Sequence, residues 1–479
     1  MSDPSVEDVD LLVIGGGKAG KSLAMDRAKA GWKVAMVERD KVGGTCINVA
    51  CIPTKALVGS ARTVLAARHA GVMGVGLGDK PSVSIEGLRQ HKSSVVGGMV
   101  TAHKKMFADS GMDFILGTAR FVAPRTAEVE TYDGHFRLLR GTDVVINTGT
   151  TPVIPDLPGT AESMVWTSET ILQLERLPQR LVILGGGYVG CEFASMFALF
   201  GSQVILLQGP DQLLPREDPD VATEVAEVLA DQGVDIRLGS RANAVHREAR
   251  GEAVVILEDG WQVHGEELLV ATGRNPVTAD LGLQVAGVEV TSGGFIRVDD
   301  HLRTSADHVW AAGDVAGTPQ FTHASWNDFR ILKANLDHGD AVTSGRIVPY
   351  TVFITPELAR VGMTEAQARA QGRRVAVGKI PVSAIPRAKT LHDKTGTWKA
   401  VVDADTDLIL GAALLGRNAG EVISALQMAM LGGLPYQQVR DAVLTHPTMG
   451  EGLNLLFEAL DEHRHKNSDE TWVEEIPRR

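Results

Sequence analysis

A glycine-rich segment occurs twice in this chain, and no other feature narrows the possible folds so far. Residues 11–38 read LLVIGGGKAGKSLAMDRAKAGWKVAMVE and residues 181–208 read LVILGGGYVGCEFASMFALFGSQVILLQ, at a constant offset of 170 residues and without a gap. Gly15, Gly17 and Gly20 fall on Gly185, Gly187 and Gly190, and Gly31 and Val34 fall on Gly201 and Val204. In each copy a short apolar run reads as a buried parallel strand. G-x-G-x-x-G follows at once, then a stretch with helical spacing, then a glycine and a second apolar run. That order spells a strand–helix–strand unit, so the chain is expected to be α/β with two such units.

The same grammar is a dinucleotide fingerprint. The first glycine makes the tight turn, the second lets the backbone approach a pyrophosphate, and the third lets the helix pack on the strand. The helix N-terminus then faces the negative charge. A single match is weak; two in the same context are a strong sign, against the alternative of two glycine-rich turns that bind nothing. The copies differ where the second strand ends. Glu38 can accept from ribose hydroxyls, whereas Gln208 can bond a ribose without repelling a 2′-phosphate. Gly209 and Pro210 come next, so no arginine follows directly, and Arg216 reads as a solvated loop residue. NADH and NADPH both stay open.

With 479 residues the chain suits about three domains at ~150 residues each. A formal charge of -12 argues against nucleic acid or an acidic membrane surface as the main partner. Met1–Asp10 is acidic and lacks an apolar core, so no secretory signal is expected, and no run approaches the ~20 apolar residues of a membrane span. The cytoplasm is the expected location. Three cysteines are too few for a disulfide scaffold. Two of them, Cys46 and Cys51, sit in GGTCINVACIPTK at 43–55. In a reducing compartment such a pair is more often catalytic or metal-binding than structural. Positions i and i+5 do not share a helix face, but a distorted first turn can bring the sulfurs together. Pro53 helps to fix the local geometry, and a helix N-terminus or Lys55 would lower a thiol pKa. The alternative is two inert buried cysteines. Zinc is a poorer reading because no second Cys or His pair completes a tetrahedron, and no metal site is expected. Cys191 reads as a packing residue. Near the end, LTHPTMGEG at 444–452 sets His446 five residues before Glu451. A carboxylate can fix an imidazole tautomer for proton transfer, although His-Pro by itself reads as a surface turn.

Together these residues resemble the pyridine nucleotide-disulfide oxidoreductases, the family of dihydrolipoamide dehydrogenase, glutathione reductase and mercuric reductase. The resemblance spans roughly 10–460 and rests on both fingerprints, GGTCINVACIPTK, INTGTTPVIP at 146–155, ATGRNP at 271–276, VWAAGDVAG at 309–317 and HPTMGE at 446–451. It implies two Rossmann-like dinucleotide-binding domains, one for FAD and one for NAD(P), and a C-terminal α+β dimerisation domain. FAD would take 1–150 and 280–348, NAD(P)H 151–279, and dimerisation 349–479. Gly15, Gly17, Gly20, Glu38, Gly44, Thr45, Lys55, Thr148, Gly149, Gly313 and Asp314 would serve FAD. Gly185, Gly187, Tyr188, Gly190, Gln208, Gly273 and Arg274 would serve the nicotinamide nucleotide, with Tyr188 as its aromatic lid. Lys55 and Glu192 resemble an ion pair beside flavin N5. Cys51 resembles the flavin-proximal thiol and Cys46 the interchange thiol. His446 and Glu451 resemble an acid/base dyad supplied by the other subunit of a homodimer, with a cis His446-Pro447 bond. Ala50 stands where many members carry glycine.

Within the family, GKAGKSLA at 17–24, QFTHASWNDFRI at 320–331, PYTVFITPELARVGMTE at 349–365 and AIPRA at 384–388 are similar to mercuric-reductase-like flavoproteins of the reactive-chlorine-resistance type. The tail after Phe457 has no cysteine, and His446 is kept, unlike in mercuric reductases. Leu444-Thr445-His446-Pro447 departs from the His-x-His-Pro of dihydrolipoamide dehydrogenases. The expected activity is NAD(P)H-driven reduction of a small oxidised acceptor, a disulfide, reactive oxidant or metal ion, through a Cys46–Cys51 disulfide. The alternatives are dihydrolipoamide dehydrogenase, a dithiol oxidase running in reverse, and a non-catalytic redox sensor. The charged end, 462–479, is expected to be mobile.

Overall fold

A computed structural model describes residues 5–78, 81–161 and 163–470, with the backbone alone over 462–470. Both glycine-rich repeats open a parallel sheet in it. The first runs β1 (Val6–Ile14), α1 (Lys18–Lys29) and β2 (Val34–Glu38). Then come α2 (Gly44–Asn48), α3 (Cys51–His69), α4 (Ile85–Ser110), β3 (Asp113–Ala123), β4 (Thr126–Thr131) and β5 (Phe136–Ile146). β1 lies between β2 and β5, parallel to both, with Leu11 opposite Val34 and Leu12 opposite Val144. Leu11, Leu12 and Val13 are fully buried, the pattern of a central strand covered on both faces. The outer half of β3 and the first half of β5 also pair antiparallel with β4, within the same six-stranded sheet. There the burial alternates residue by residue, as one covered face requires.

The second repeat follows the same plan. After β6 (Thr150–Pro152) and β7 (Trp166–Thr167) come β8 (Arg180–Leu184), α5 (Tyr188–Phe200), β9 (Gln203–Leu207), α6 (Pro219–Asp231) and β10 (Val234–Arg237). β11 (Ala242–Arg247), β12 (Ala253–Leu257) and β13 (Gln262–Gly265) form an antiparallel meander. β14 (Glu267–Val270) completes a parallel sheet of order β10-β9-β8-β14-β7. β15 (Arg274–Pro276) pairs with β6 in a two-stranded ribbon. From Gly190 to Phe200 every residue of α5 is buried. A helix that is apolar all round must be enclosed, and α5 shares its core with Leu57, Val58 and Ala61 of α3.

β16 (Val309–Ala311) returns to the first sheet beside β5, and α7 (Thr322–Leu336) follows. The remainder comprises β17 (Tyr350–Val352), β18 (Leu358–Gly362), α8 (Glu365–Ala370), β19 (Val375–Pro381), α9 (Pro386–Thr390), β20 (Thr397–Asp403), β21 (Ile409–Leu415), α10 (Ala419–Leu431), α11 (Tyr436–Arg440) and α12 (Gly452–Glu470). Its sheet is antiparallel, in the order β17-β18-β21-β20-β19, over a core that includes Trp398, Leu414 and Phe457. At the charged end, α12 runs through Glu470, and residues 471–479, the rest of the segment expected to be mobile, lie outside the described ones. Although no membrane-length apolar run is expected, the helical residues of 44–73 are long and apolar enough to cross a membrane by length and composition. The central part of this stretch, α3, buries Leu57, Val58 and Ala61 against α5.

Candidate active site

The two thiols lie in a cleft of about 2140 Å³ that runs between the repeats. They do not sit on one distorted helical turn. Val49 (φ -141, ψ 7) and Ala50 (φ -135, ψ -104) interrupt the helix, so Cys46 belongs to α2 and Cys51 is the first residue of α3. Asn48 anchors α2 by donating from Nδ2 to the carbonyls of Val42 at 3.0 Å and Gly44 at 2.9 Å. Pro53 falls in the first turn of α3, where its missing N–H leaves no bond unmade. Both cysteines are free thiols within hydrogen-bonding reach of each other. The hydrogen bond from Cys46, the hydroxyl of Thr322 at 3.5 Å and the charge of Lys55 lower the Cys51 thiol to about 6, against burial and the charge of Glu192. The N-terminus of α3 favours the same thiolate. Cys46 moves the other way, because its proton is held toward Cys51 and its sulfur is buried.

Lys55, one turn along α3 from Cys51, meets Glu192 of α5 at 2.7 Å. The other carboxylate oxygen of Glu192 accepts the Phe353 N–H at 2.9 Å, and the Lys55 ammonium lies 4.7 Å from the Phe353 ring centroid. Tyr188, at the start of α5, donates to the Tyr350 hydroxyl at 3.0 Å with ring centroids 5.1 Å apart. Tyr350 donates in turn to buried Glu217, which pairs with buried Arg360 at 3.1 Å. Burial holds the Glu217 carboxyl above its ordinary value. Tyr350 also stacks on Phe321, the neighbour of Thr322.

The two fingerprints fold alike to the level of single bonds. The Gly16 N–H donates to Glu38 Oε2 at 2.7 Å, and the Gly186 N–H donates to Gln208 Oε1 at 2.7 Å. Gly15 and Gly185 have φ of 103 and 106, the left-handed turn that a side chain resists. A Cβ on Gly20 would stand 2.6 Å from the Gly15 carbonyl oxygen, and one on Gly190 would stand 1.8 Å from that of Gly185. The Gln208 amide also donates to the Gln212 carbonyl at 3.0 Å, so both of its ends are engaged within the protein. Between the fingerprints, Asp314 accepts from Thr150 at 2.8 Å, and Arg274 donates to the same hydroxyl at 2.8 Å. Arg274 also pairs with Glu169 at 3.1 Å. Burial raises the Asp314 carboxyl. Gly313 donates to Asp328 at 2.8 Å, and Thr148 donates to the Val277 carbonyl at 2.7 Å. Gly44 packs so near the first fingerprint that a Cβ there would stand 2.9 Å from the Gly16 oxygen. These residues fit FAD: a glycine loop at a helix start, a carboxylate that could serve a ribose and the half-buried carboxyl of Asp314 that could serve a polyol share one cleft.

Cys46, Cys51, Lys55, Glu192, Tyr188, Glu38, Gly44, Thr45, Thr148, Gly149, Gln208, Gly273, Arg274 and Asp314 all line the cleft, as do Gly15, Gly17, Gly185 and Gly187. Gly20, Gly190 and Gly313 lie behind its wall as packing positions. His446 and Glu451 are not in it. They form a bond of 2.6 Å from Nδ1 to the carboxylate, beside a cis His446-Pro447 peptide, with the His446 side chain 68% exposed. The buried Glu451 Oε1 has no partner among the described residues.

Several residues escaped the sequence reading. Thr322 lies 271 positions from the Cys51 sulfur it touches, and no periodicity announces such a contact. Asn147 ties Gly20 to the Ala312 carbonyl from within a motif read only as a whole. Lys21 is 3% exposed and donates to the Gly43 carbonyl at 2.7 Å; burial pushes its ammonium down to about 8. A lysine in a helix ordinarily reads as a solvated face.

Residues 9–328 match the family described as Pyridine nucleotide-disulphide oxidoreductase, and residues 348–456 match that family's dimerisation domain. The chain belongs to the pyridine nucleotide-disulphide oxidoreductases. It is therefore a flavoenzyme that uses FAD and NAD(P)H for disulfide-type redox chemistry. It is 43% identical over 453 residues to the probable pyridine nucleotide-disulfide oxidoreductase RclA of Escherichia coli (strain K12), covering 93% of this chain and 98% of that protein. It is 33% identical to a mercuric reductase of Bacillus cereus, covering 96% of this chain and 73% of the relative. A solved structure, the Cu(II) complex of the HOCl-induced flavoprotein disulfide reductase RclA from Escherichia coli, superposes with a TM-score of 0.87 at 42% identity, covering 94% of this chain and 99% of that one.

Proposed function

We propose that the enzyme passes two electrons from NAD(P)H to a small oxidised acceptor, a reactive oxidant or a metal ion, through Cys46 and Cys51. The observation that carries this reading is the division of labour in the thiol pair. Cys51 bears the negative charge beside Lys55 and Thr322, while the remaining proton rests on Cys46. FAD, when bound, supplies the relay between the nicotinamide and the thiols. Cys51 would be the thiol toward the flavin, and Cys46 the one toward the acceptor. Lys55 and Glu192 keep a fixed charge pair beside the first of these. For Cys46 to attack or ligate an acceptor, its proton must leave, which calls for a base. The exposed His446–Glu451 dyad is suited to that task but lies outside its own cleft. It is therefore supplied by a second copy, and the enzyme works as a homodimer. The dimerisation match at 348–456 and the exposed apolar Met428, Leu431 and Val443 support this arrangement. We place it in the reducing cytoplasm, where an open thiol pair persists.

Relatives whose names speak of mercuric reduction, HOCl induction and a Cu(II) complex support an oxidant or metal ion over a protein-borne lipoyl group. The test is an acceptor panel offered to the anaerobically reduced holoenzyme: Cu(II), Hg(II), hypothiocyanite, glutathione disulfide and lipoamide. Rapid reoxidation by a small oxidant or metal ion, lost in Cys46→Ser, is expected. Reoxidation by lipoamide alone would overturn the reading.

A further inference from the structure

The end of β9 in the second repeat is where a dinucleotide presents its adenosine ribose. No carboxylate stands there to accept from a 2′-hydroxyl as Glu38 does in the first repeat. Gln208 is neutral and 5% exposed, and its amide already serves Gly186 and Gln212. What the site does present is cationic. Arg241 lines the cleft beside Gln208 and Gly209. The preceding residue, Ser240, donates its N–H to the Gln208 carbonyl at 2.9 Å, and the Arg241 carbonyl accepts the Glu258 N–H at 3.0 Å, which fixes the loop beside the strand end. The Arg241 side chain runs across Gly209 so closely that a Cβ there would stand 3.1 Å from Arg241 Cγ and 3.6 Å from Nη1. Glycine at 209 therefore leaves the space the arginine occupies. Among the described residues, no carboxylate lies within ion-pair distance of Arg241. Asp211, two residues after Gly209, borders Gly239 and does not pair with Arg241.

An unpaired guanidinium held over the ribose end, beside a side chain with no negative charge, is a receptor for a phosphate monoester. We propose that Arg241 binds the 2′-phosphate of the nicotinamide nucleotide, so that NADPH is the preferred reductant. This rests on the second fingerprint taking that nucleotide. The arginine arrives from the loop before β11 and not from the turn directly after β9, which is why the run Gln208-Gly209-Pro210 gave no sign of it.

The experiment is calorimetric binding to the FAD-loaded enzyme, with 5′-AMP, 2′,5′-ADP and 3′,5′-ADP as probes, for the wild type and Arg241→Ala. The 2′-phosphorylated probe is expected to bind at least about tenfold tighter than 5′-AMP, and 3′,5′-ADP, of equal charge, to resemble 5′-AMP. Arg241→Ala should remove about tenfold from 2′,5′-ADP and leave 5′-AMP within about twofold. Equal affinities in the wild type, or equal losses for all three probes, would overturn the assignment. Flavin reduction by NADH and NADPH separates the two levels. If either nucleotide reduces the flavin while 2′,5′-ADP gains nothing, the pocket fails and the general function stands. If 2′,5′-ADP binds as expected and neither nucleotide reduces the flavin, the general function fails and the pocket stands.

Discussion

A thiol becomes useful to redox chemistry when it loses its proton, and the two thiols here are held at different distances from that event. Cys51 has a donor in Cys46, a hydroxyl in Thr322 and a cation in Lys55; Cys46 has burial and a neighbouring negative sulfur. Because the Cys51 pKa is lowered, its thiolate persists at neutral pH and is lost as pH falls through about 6. The reduced holoenzyme should therefore keep its thiolate–flavin charge-transfer absorbance down to that region. Fading near the ordinary thiol value would refute this account of the pair. Lys55→Ala takes away the cation that faces both Cys51 and Glu192. The midpoint of the same absorbance should rise by up to ~1 pH unit. Stability should fall by roughly 1–2 kcal/mol, kept modest by the one-third exposure of Lys55. An unmoved midpoint would detach Lys55 from the thiol.

At the scale of elements, the repeat makes a matched experiment possible. Gly20 and Gly190 fill the same place in their helices, and each lies against the carbonyl of the glycine that opens its loop. An added methyl forces α1 or α5 off its sheet, at ~1–3 kcal/mol or more. Gly20→Ala should lower the flavin content of the purified protein. Gly190→Ala should leave the flavin in place and slow its reduction by NADH or NADPH about 10–100-fold in stopped-flow absorbance. Equal loss of flavin in both variants would mean that the two loops do not serve separate nucleotides. This symmetry was readable in the sequence because its causes are local: a glycine that must turn, a run that must be buried, a helix that follows. The interruption at Val49–Ala50 was not, since helical spacing treats residues 43–69 as one rod and cannot see where Cys51 restarts the count. Thr322, Glu217 and Tyr350 were also beyond reach. Each acts through a contact with a residue more than a hundred positions away, and only tertiary packing creates such contacts.

The whole molecule raises the question of what completes the cleft. His446 and Glu451 bond each other at the outer face of the C-terminal part, away from the thiols of their own chain. Mixing Cys46→Ser and His446→Ala subunits tests whether a second copy brings them together. Each variant alone should be nearly inactive. Random re-association gives mixed dimers in which one cleft has an intact thiol pair and an intact dyad, so about a quarter of wild-type activity should return. No recovery, with dimers shown to have exchanged, would place the base elsewhere. The central claim is that the thiol pair stores electrons in series with the flavin, and anaerobic reductive titration of the holoenzyme measures this storage directly. The wild type should accept about two electron pairs per flavin, and Cys46→Ser about one. A wild-type enzyme that saturates after a single pair would contradict the account.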